Sequence, residues 1–134
     1  MTLHWFIDSR RRLVTITADG AVSRAEIDEM LDAVMGAGAL AYRKLVDVTA
    51  GRSDLSEHDM LEIGARVRTL HGNAVGAVAL VLPNQSLTDE ASSEAETLVA
   101  RLIGIIASAK RPFRICKTVG SAKRWLESPA VRDG

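Results

Sequence analysis

Cysteine is almost absent from this chain: Cys116 is the only one. A lone thiol cannot close an intramolecular disulfide, and it is what a reducing cytosol permits. Aromatic residues are scarce as well, with two Trp, one Tyr and two Phe among 134 residues, so the core has to be aliphatic. Charge of one sign is missing. Lys and Arg number 17 against 17 Asp and Glu, which leaves no overall field to steer the chain toward nucleic acid or an anionic surface. No apolar run is long enough for a membrane span: the most hydrophobic, Ala74 to Leu82, stops after nine residues at Pro83, where about 20 are required. The opening Met1-Thr2-Leu3-His4-Trp5 lacks the basic and apolar regions of a secretion signal. A cytoplasmic location is the expectation.

What remains is an ordinary globular composition, 47% apolar and 25% charged, at the length of a single domain spanning 1–134. The chain alternates strand and helix patterns throughout. Leu3, Trp5 and Ile7 alternate with His4, Phe6 and Asp8, and after Ser9-Arg10-Arg11 a β-branched run from Arg12 to Ala18 completes a hairpin. Arg10, Arg11 and Arg12 read as its solvated tip. Asp19-Gly20 is expected to end the second strand, and Ser23-Arg24-Ala25-Glu26 has the form of a capping box opening a helix with Ile27, Met30, Leu31 and Val34 on its apolar face. Gly36 or Gly38 can stop that helix.

Leu45 to Val48 reads as a third strand, Ala50 to Asp54 as a loop, and Leu55 to Leu70 as a second helix with Met60, Ile63, Gly64, Val67 and Leu70 on one stripe. The nine-residue apolar run is a fourth strand whose two alternating sets, Val75/Ala77/Ala79/Val81 and Gly76/Val78/Leu80/Leu82, both need cover. Helices on both sides, or a second subunit on part of one side, would supply it. A third helix opens near Ser86-Leu87-Thr88-Asp89. Pro112 to Cys116 makes a fifth strand, and Ser121 to Leu126 belongs to a short last helix, with Trp125 and Leu126 packing on the sheet. The order ββαβαβαβα predicts an α/β fold with a mostly parallel five-stranded sheet and an antiparallel N-terminal edge strand.

The residues with chemical potential do not assemble into a recognised motif. His4, His58 and His71 lack metal-ligand spacing, so no metal is expected. Cys116 lies between Ile115 and Lys117 in a strand and reads as an inert core thiol. Gly36-Ala37-Gly38 follows a helix rather than a strand and lacks the third glycine of a dinucleotide fingerprint. Gly-x-Ser-x-Gly and phosphate-loop strings are missing, and Glu94 and Glu96, two apart on a helix, do not face each other. No cofactor and no enzymatic activity are expected. The charges are nevertheless segregated: Asp54, Glu57, Asp59 and Glu62 make one segment acidic, while Lys110, Arg111, Arg114, Lys117, Lys123 and Arg124 make the last fifth basic. Without stacking aromatics or a known reading module, that basic stretch does not indicate nucleic-acid binding.

The opening hairpin, the strand Lys44-Leu45-Val46-Asp47-Val48 leading to an acidic-capped helix, the buried strand Ala77-Val78-Ala79-Leu80-Val81, and the closing Phe113-Arg114, Ala122 and Trp125-Leu126 together resemble the small bacterial SpoIIAA-like proteins, related in fold to STAS domains. The resemblance covers nearly the whole chain and implies a non-enzymatic interaction or regulatory domain. In anti-sigma antagonists of this fold, a Ser at the start of the helix after the third strand is phosphorylated. Here that place reads Asp47-Val48-Thr49-Ala50-Gly51-Arg52-Ser53-Asp54-Leu55-Ser56 and lacks the Asp-Ser order, so Ser53 and Ser56 are the candidate regulatory sites beside their reading as caps and loop residues. SpoIIAA-like proteins are also grouped with Sec14-like lipid-transfer folds, which makes a small-ligand or lipid binder the alternative. The broad apolar surface of the third helix, with Leu98, Val99, Leu102, Ile103 and Ile106, suggests the interface of a homodimer, and a regulatory protein is the other expected partner.

Overall fold

A computed structural model describes residues 2–53, 56–71, 76–81 and 112–132. In chain order the described elements are β1 (Leu3–Asp8), β2 (Leu13–Val22), α1 (Arg24–Gly36), β3 (Arg43–Ser53), α2 (Glu57–His71), β4 (Val78–Val81), β5 (Phe113–Cys116), α3 (Val119–Leu126) and α4 (Pro129–Arg132). The expected third helix, with Leu98, Val99, Leu102, Ile103 and Ile106, lies outside the described residues.

The strands pair in the order β1-β2-β3-β4-β5, antiparallel only between β1 and β2 and parallel elsewhere. This is the mostly parallel α/β sheet with an antiparallel N-terminal edge that the alternation of elements implies. The hairpin tip is locally encoded: Asp8 Oδ1 accepts from the backbone N–H groups of Arg10 and Arg11, at 3.0 and 3.1 Å. Arg12 turns the chain with a left-handed φ of 52°, and its carbonyl receives the N–H of Arg43.

Two boundaries move outward. β2 does not end at Asp19-Gly20 but continues to Val22, because Gly20 takes a φ of 101° beside a register shift between Thr17 and Asp19. β3 continues in step, so that Ala50 to Ser53, expected as a loop, pair with Asp19 to Val22. Of the expected fourth strand the described residues show Val78–Val81, with Ala74, Val75 and Leu82 outside them, and a one-turn α4 begins at Pro129, beyond the expected end of the last helix.

The sheet is covered on both faces, as β4 requires, since all four of its residues are buried. On the first face Leu3, Val14, Ile16, Ala18, Val48 and Leu80 pack with Val34 of α1 and with Ala39, and Trp5, Ile7, Val46 and Phe113 border them. On the second face Leu13, Leu45, Ala77, Ala79, Val81 and Cys116 pack with Ala122 and Leu126 of α3 and Val131 of α4. The β4 alternation thus sorts as expected, and Cys116 and Leu126 are core residues. Gly76 has a packing reason that sequence alone does not reveal: a Cβ there would lie 2.2 Å from the Tyr42 carbonyl oxygen.

Among the described residues, one charged side chain is buried with the core. Lys44, on the first face, donates from Nζ to the carbonyl oxygens of Leu40 (2.6 Å) and Tyr42 (3.0 Å), so its charge is held by the loop that leads into β3. Beside it Arg43 points to the second face and joins three parts of the chain. Its guanidinium donates to the carbonyls of Arg11 at the hairpin tip and Leu126 at the end of α3, and pairs with Glu127 at 3.4 Å. A cation at the C-terminus of α3 also complements the helix dipole.

Candidate functional site

The region singled out by the sequence is the passage from β3 into α2. Asp47 and Thr49 close it locally, because Asp47 Oδ1 accepts from the Thr49 backbone N–H at 3.0 Å and its hydroxyl at 2.7 Å. Ser56 is exposed and caps α2: its Oγ accepts the Asp59 N–H at 3.0 Å, and Asp59 Oδ2 accepts the Ser56 N–H at 3.1 Å. The helix therefore starts at Glu57, two residues later than its apolar pattern suggests. Ser53 is the last residue of β3, where its backbone pairs with Val22.

From that cap an ionic face runs between α1 and α2. Arg24, the first residue of α1, pairs with Asp28 (3.6 Å), with Asp59 (3.5 Å) and with Glu62. Arg66 pairs with Asp28 at 2.7 Å and with Asp32, and His58 places Nε2 2.7 Å from Glu62 Oε1. The Ser56 backbone N–H, together with the Ser56 hydroxyl and Arg24, holds the Asp59 carboxyl below its ordinary range, and the two carboxylates raise Arg66. Within the acidic segment expected at this helix, Asp59 and Glu62 are thus met by Arg24, which arrives from the head of α1, while Arg66 of α2 meets the acids of α1. The basic residues of the last fifth that the structure describes, Arg114, Lys117, Lys123 and Arg124, are exposed around β5 and α3.

A second polar cluster sits where β1 meets α1. Ser23 caps α1 as its sequence suggests, its Oγ accepting the Glu26 N–H at 3.3 Å. Glu26 does more than close that box. Its carboxylate accepts from the Thr2 hydroxyl (2.7 Å) and from the backbone N–H groups of Leu3 and Thr2 (each 2.8 Å). The Thr2 hydroxyl and the Leu3 N–H lower its pKa to about 2 against a burial that would raise it. The sequence hint was the capping-box Glu itself; its second partner, 24 residues away, has no local signal.

Among the described residues no group of three or more His, Cys, Asp or Glu side chains could hold a metal ion, and no helix is long and apolar enough to cross a membrane. The interface candidates Leu98, Val99, Leu102, Ile103 and Ile106 lie outside the described residues.

Over the whole chain the arrangement has a counterpart in a solved structure: an uncharacterized protein of the DUF3478 family with a SpoIIAA-like fold, from Shewanella loihica PV-4. It superposes with a TM-score of 0.60 over 92% of this chain and 91% of that one, at 18% sequence identity. The fold is SpoIIAA-like. At that identity the likeness carries the fold alone, and it agrees with the resemblance drawn from the hairpin, the β3 and β4 strings and the closing helix. No family model and no curated protein matches the chain. Within the SpoIIAA-like frame, Ser56 stands at the head of the helix that follows the third strand, with Arg24 bound to its capping partner Asp59.

Proposed function

We propose that this chain is a cytoplasmic, non-enzymatic recognition module that docks a regulatory protein, with Ser56 as the position at which phosphorylation changes the docking surface. The observation that carries this reading is the exposed Ser56 hydroxyl at the start of α2, joined through Asp59 to Arg24 and through Arg24 to the whole α1–α2 ionic face. A phosphate on Ser56 adds nearly two negative charges beside helix N–H groups and within the reach of Arg24, while repelling Asp59. Arg24 then has a stronger acceptor than Asp28, Asp59 or Glu62, and the ion pairs along α1 and α2 regroup.

The topology supports recognition rather than ligand enclosure. Both described crossovers, β2-α1-β3 and β3-α2-β4, advance the sheet in the same direction. Neighbouring connections there do not part to opposite faces, which is how open α/β sheets make the crevice that holds small ligands. Ser53, the other candidate, lies within the β2–β3 ladder, where modification would have to compete with strand pairing.

The test is a cross-linked pull-down from the cells that make the protein, with wild type, Ser56→Ala and Ser56→Glu as baits, together with phosphopeptide mass spectrometry. The expected result is a protein captured by wild type and Ser56→Ala and released by Ser56→Glu, with Ser56 modified in some growth states. Equal capture by all three baits and an unmodified Ser56 would discard the switch. Co-purification of a lipid without any protein would replace the reading with that of a lipid binder.

A further inference from the structure

We infer that the free edge of β1 is a self-association surface, on which a second copy of this chain adds its own β1 antiparallel, in the register that sets Phe6 opposite Phe6. The two edges of the sheet differ in how they are guarded. β5 has four residues, follows Pro112 and carries Arg114 and the adjacent Lys117, all devices that discourage strand addition. β1 has six residues, Leu3-His4-Trp5-Phe6-Ile7-Asp8, with no Lys, Arg or Pro, and its Phe6 is 66% exposed.

The register follows from the hydrogen-bond parity of the edge. The Asp19 N–H reaches the Thr2 carbonyl, and the Arg12 carbonyl receives Arg43 from β3, so residues of even number in β1 bond inward to β2. Leu3, Trp5 and Ile7 therefore turn their N–H and C=O groups outward. The Leu3 N–H is already taken by Glu26 Oε2 at 2.8 Å, whereas among the described residues nothing is bonded to the outward groups of Trp5 and Ile7. An added strand thus finds Trp5 and Ile7 open and Leu3 closed. Centring the pair on Phe6 sets Trp5 against Ile7 of the second copy, and each such pair exchanges both of its backbone hydrogen bonds without disturbing Glu26.

Side chains agree with that register. Phe6 meets its own counterpart in a non-hydrogen-bonded pair, the closer of the two antiparallel spacings, which covers an aromatic ring otherwise left in water. The exposed His4 stands opposite Asp8 of the second copy, whose Oδ1 is held by the turn amides. Thr2, with Glu26 on it, stands opposite Arg10 of the second copy, so that a carboxylate meets a guanidinium at each end of the pairing. A register shifted to put Trp5 opposite itself would require the occupied Leu3 N–H and would set His4 against Phe6.

The edge is short, so the association is a weak one by the standards of stable dimers. Sedimentation equilibrium from roughly 10 µM to 1 mM should show a reversible dimer with a midpoint near roughly 100 µM. Phe6→Lys, at an exposed position that leaves the far-ultraviolet circular dichroism unchanged, should weaken it at least about tenfold. In a Cys116→Ala background, mild oxidation should cross-link Phe6→Cys to itself, and should cross-link His4→Cys only when it is mixed with Asp8→Cys. A chain that stays monomeric at roughly 1 mM, or a dimer that Phe6→Lys leaves unchanged, overturns the inference. Self-cross-linking of His4→Cys in place of Phe6→Cys overturns the register.

Discussion

The two faces of the sheet are covered in different ways. The first face is sealed by α1, delivered there by a crossover between neighbouring strands, and its apolar cluster runs from Leu3 on β1 to Leu80 on β4, with Phe113 of β5 at its border. The second is sealed by the terminal helices α3 and α4, and its cluster lies mainly over β3, β4 and β5, reaching β2 only at Leu13. Beyond Leu13, the β1–β2 half of that face presents His4, Phe6, Thr15 and Thr17. A crossover helix is tethered at both ends by strands. α3 lies in no crossover between described strands and is held by its own contacts, a full capping box between Thr118 and Ser121 and the grip of Arg43 on the Leu126 carbonyl and Glu127.

If the second face hangs on α3, its anchor is Leu126, the only large side chain of that helix that is fully buried. Leu126→Ala should cost about 3 kcal/mol. Amide exchange should then show protection lost over 119–132 while α1 keeps its own; equal loss in α1 would mean that the two faces do not behave separately. On the first face, Lys44→Met should cost about 2 kcal/mol in urea melts, because the Leu40 and Tyr42 carbonyls lose their buried donor. A neutral result would place Lys44 outside the packing that defines this face.

The α1–α2 surface is the half-exposed counterpart of both interiors, and its ion pairs are weak by position. Arg66→Ala should lower stability by less than about 1 kcal/mol, an effect that fades in 1 M salt, roughly the condition where screening reaches 3 Å. The last effect concerns Glu26, and pH isolates it. Its folded pKa of about 2 lies below the ordinary value of 4.5, so the carboxylate favours the folded state fully above about pH 4.5 and loses that contribution as pH falls through about 2. Glu26→Gln should therefore flatten the stability profile between those limits, measured by thermal melts at successive pH values. An unchanged profile would show that Thr2 and Leu3 do not discriminate between the two protonation states.

Much of this architecture was legible in the sequence. Period-two alternation located β1 and β2, the doubly apolar run of β4 announced cover on both faces, Ser23 marked the start of α1, and Trp125 and Leu126 found the sheet as their positions on a short helix implied. Other features depend on partners distant in the chain. Ala50-Gly51-Arg52-Ser53 has the composition of a loop, yet it is strand because Asp19 to Val22 offer it a ladder. The burial of Lys44 follows from carbonyls supplied by the preceding loop, Asp59 and Glu62 of α2 are met by Arg24 at the head of α1, and Arg66 turns back to Asp28, 38 residues earlier. At the candidate site, sequence gave Ser53 and Ser56 equal standing. The reciprocal bond of Ser56 with Asp59 is a side-chain geometry that spacing alone does not reveal.

The length of the β2–β3 ladder has a consequence for the order in which the molecule comes apart. That seam runs from Leu13 and Arg43 to Val22 and Ser53, whereas the ladders on the other side of β3 each engage only four residues of β4. Opening the sheet at β4 breaks two short described ladders; opening it between β2 and β3 breaks the longest described ladder, on both sides of the shift between Thr17 and Asp19, and strips α1 of its support. Native-state hydrogen exchange should therefore release the C-terminal side first and the amides facing that seam last, near the global limit. The β2-α1-β3 unit is then the most durable part of the molecule, and a nick or a mechanical pull applied at the C-terminal end would peel the sheet strand by strand toward it.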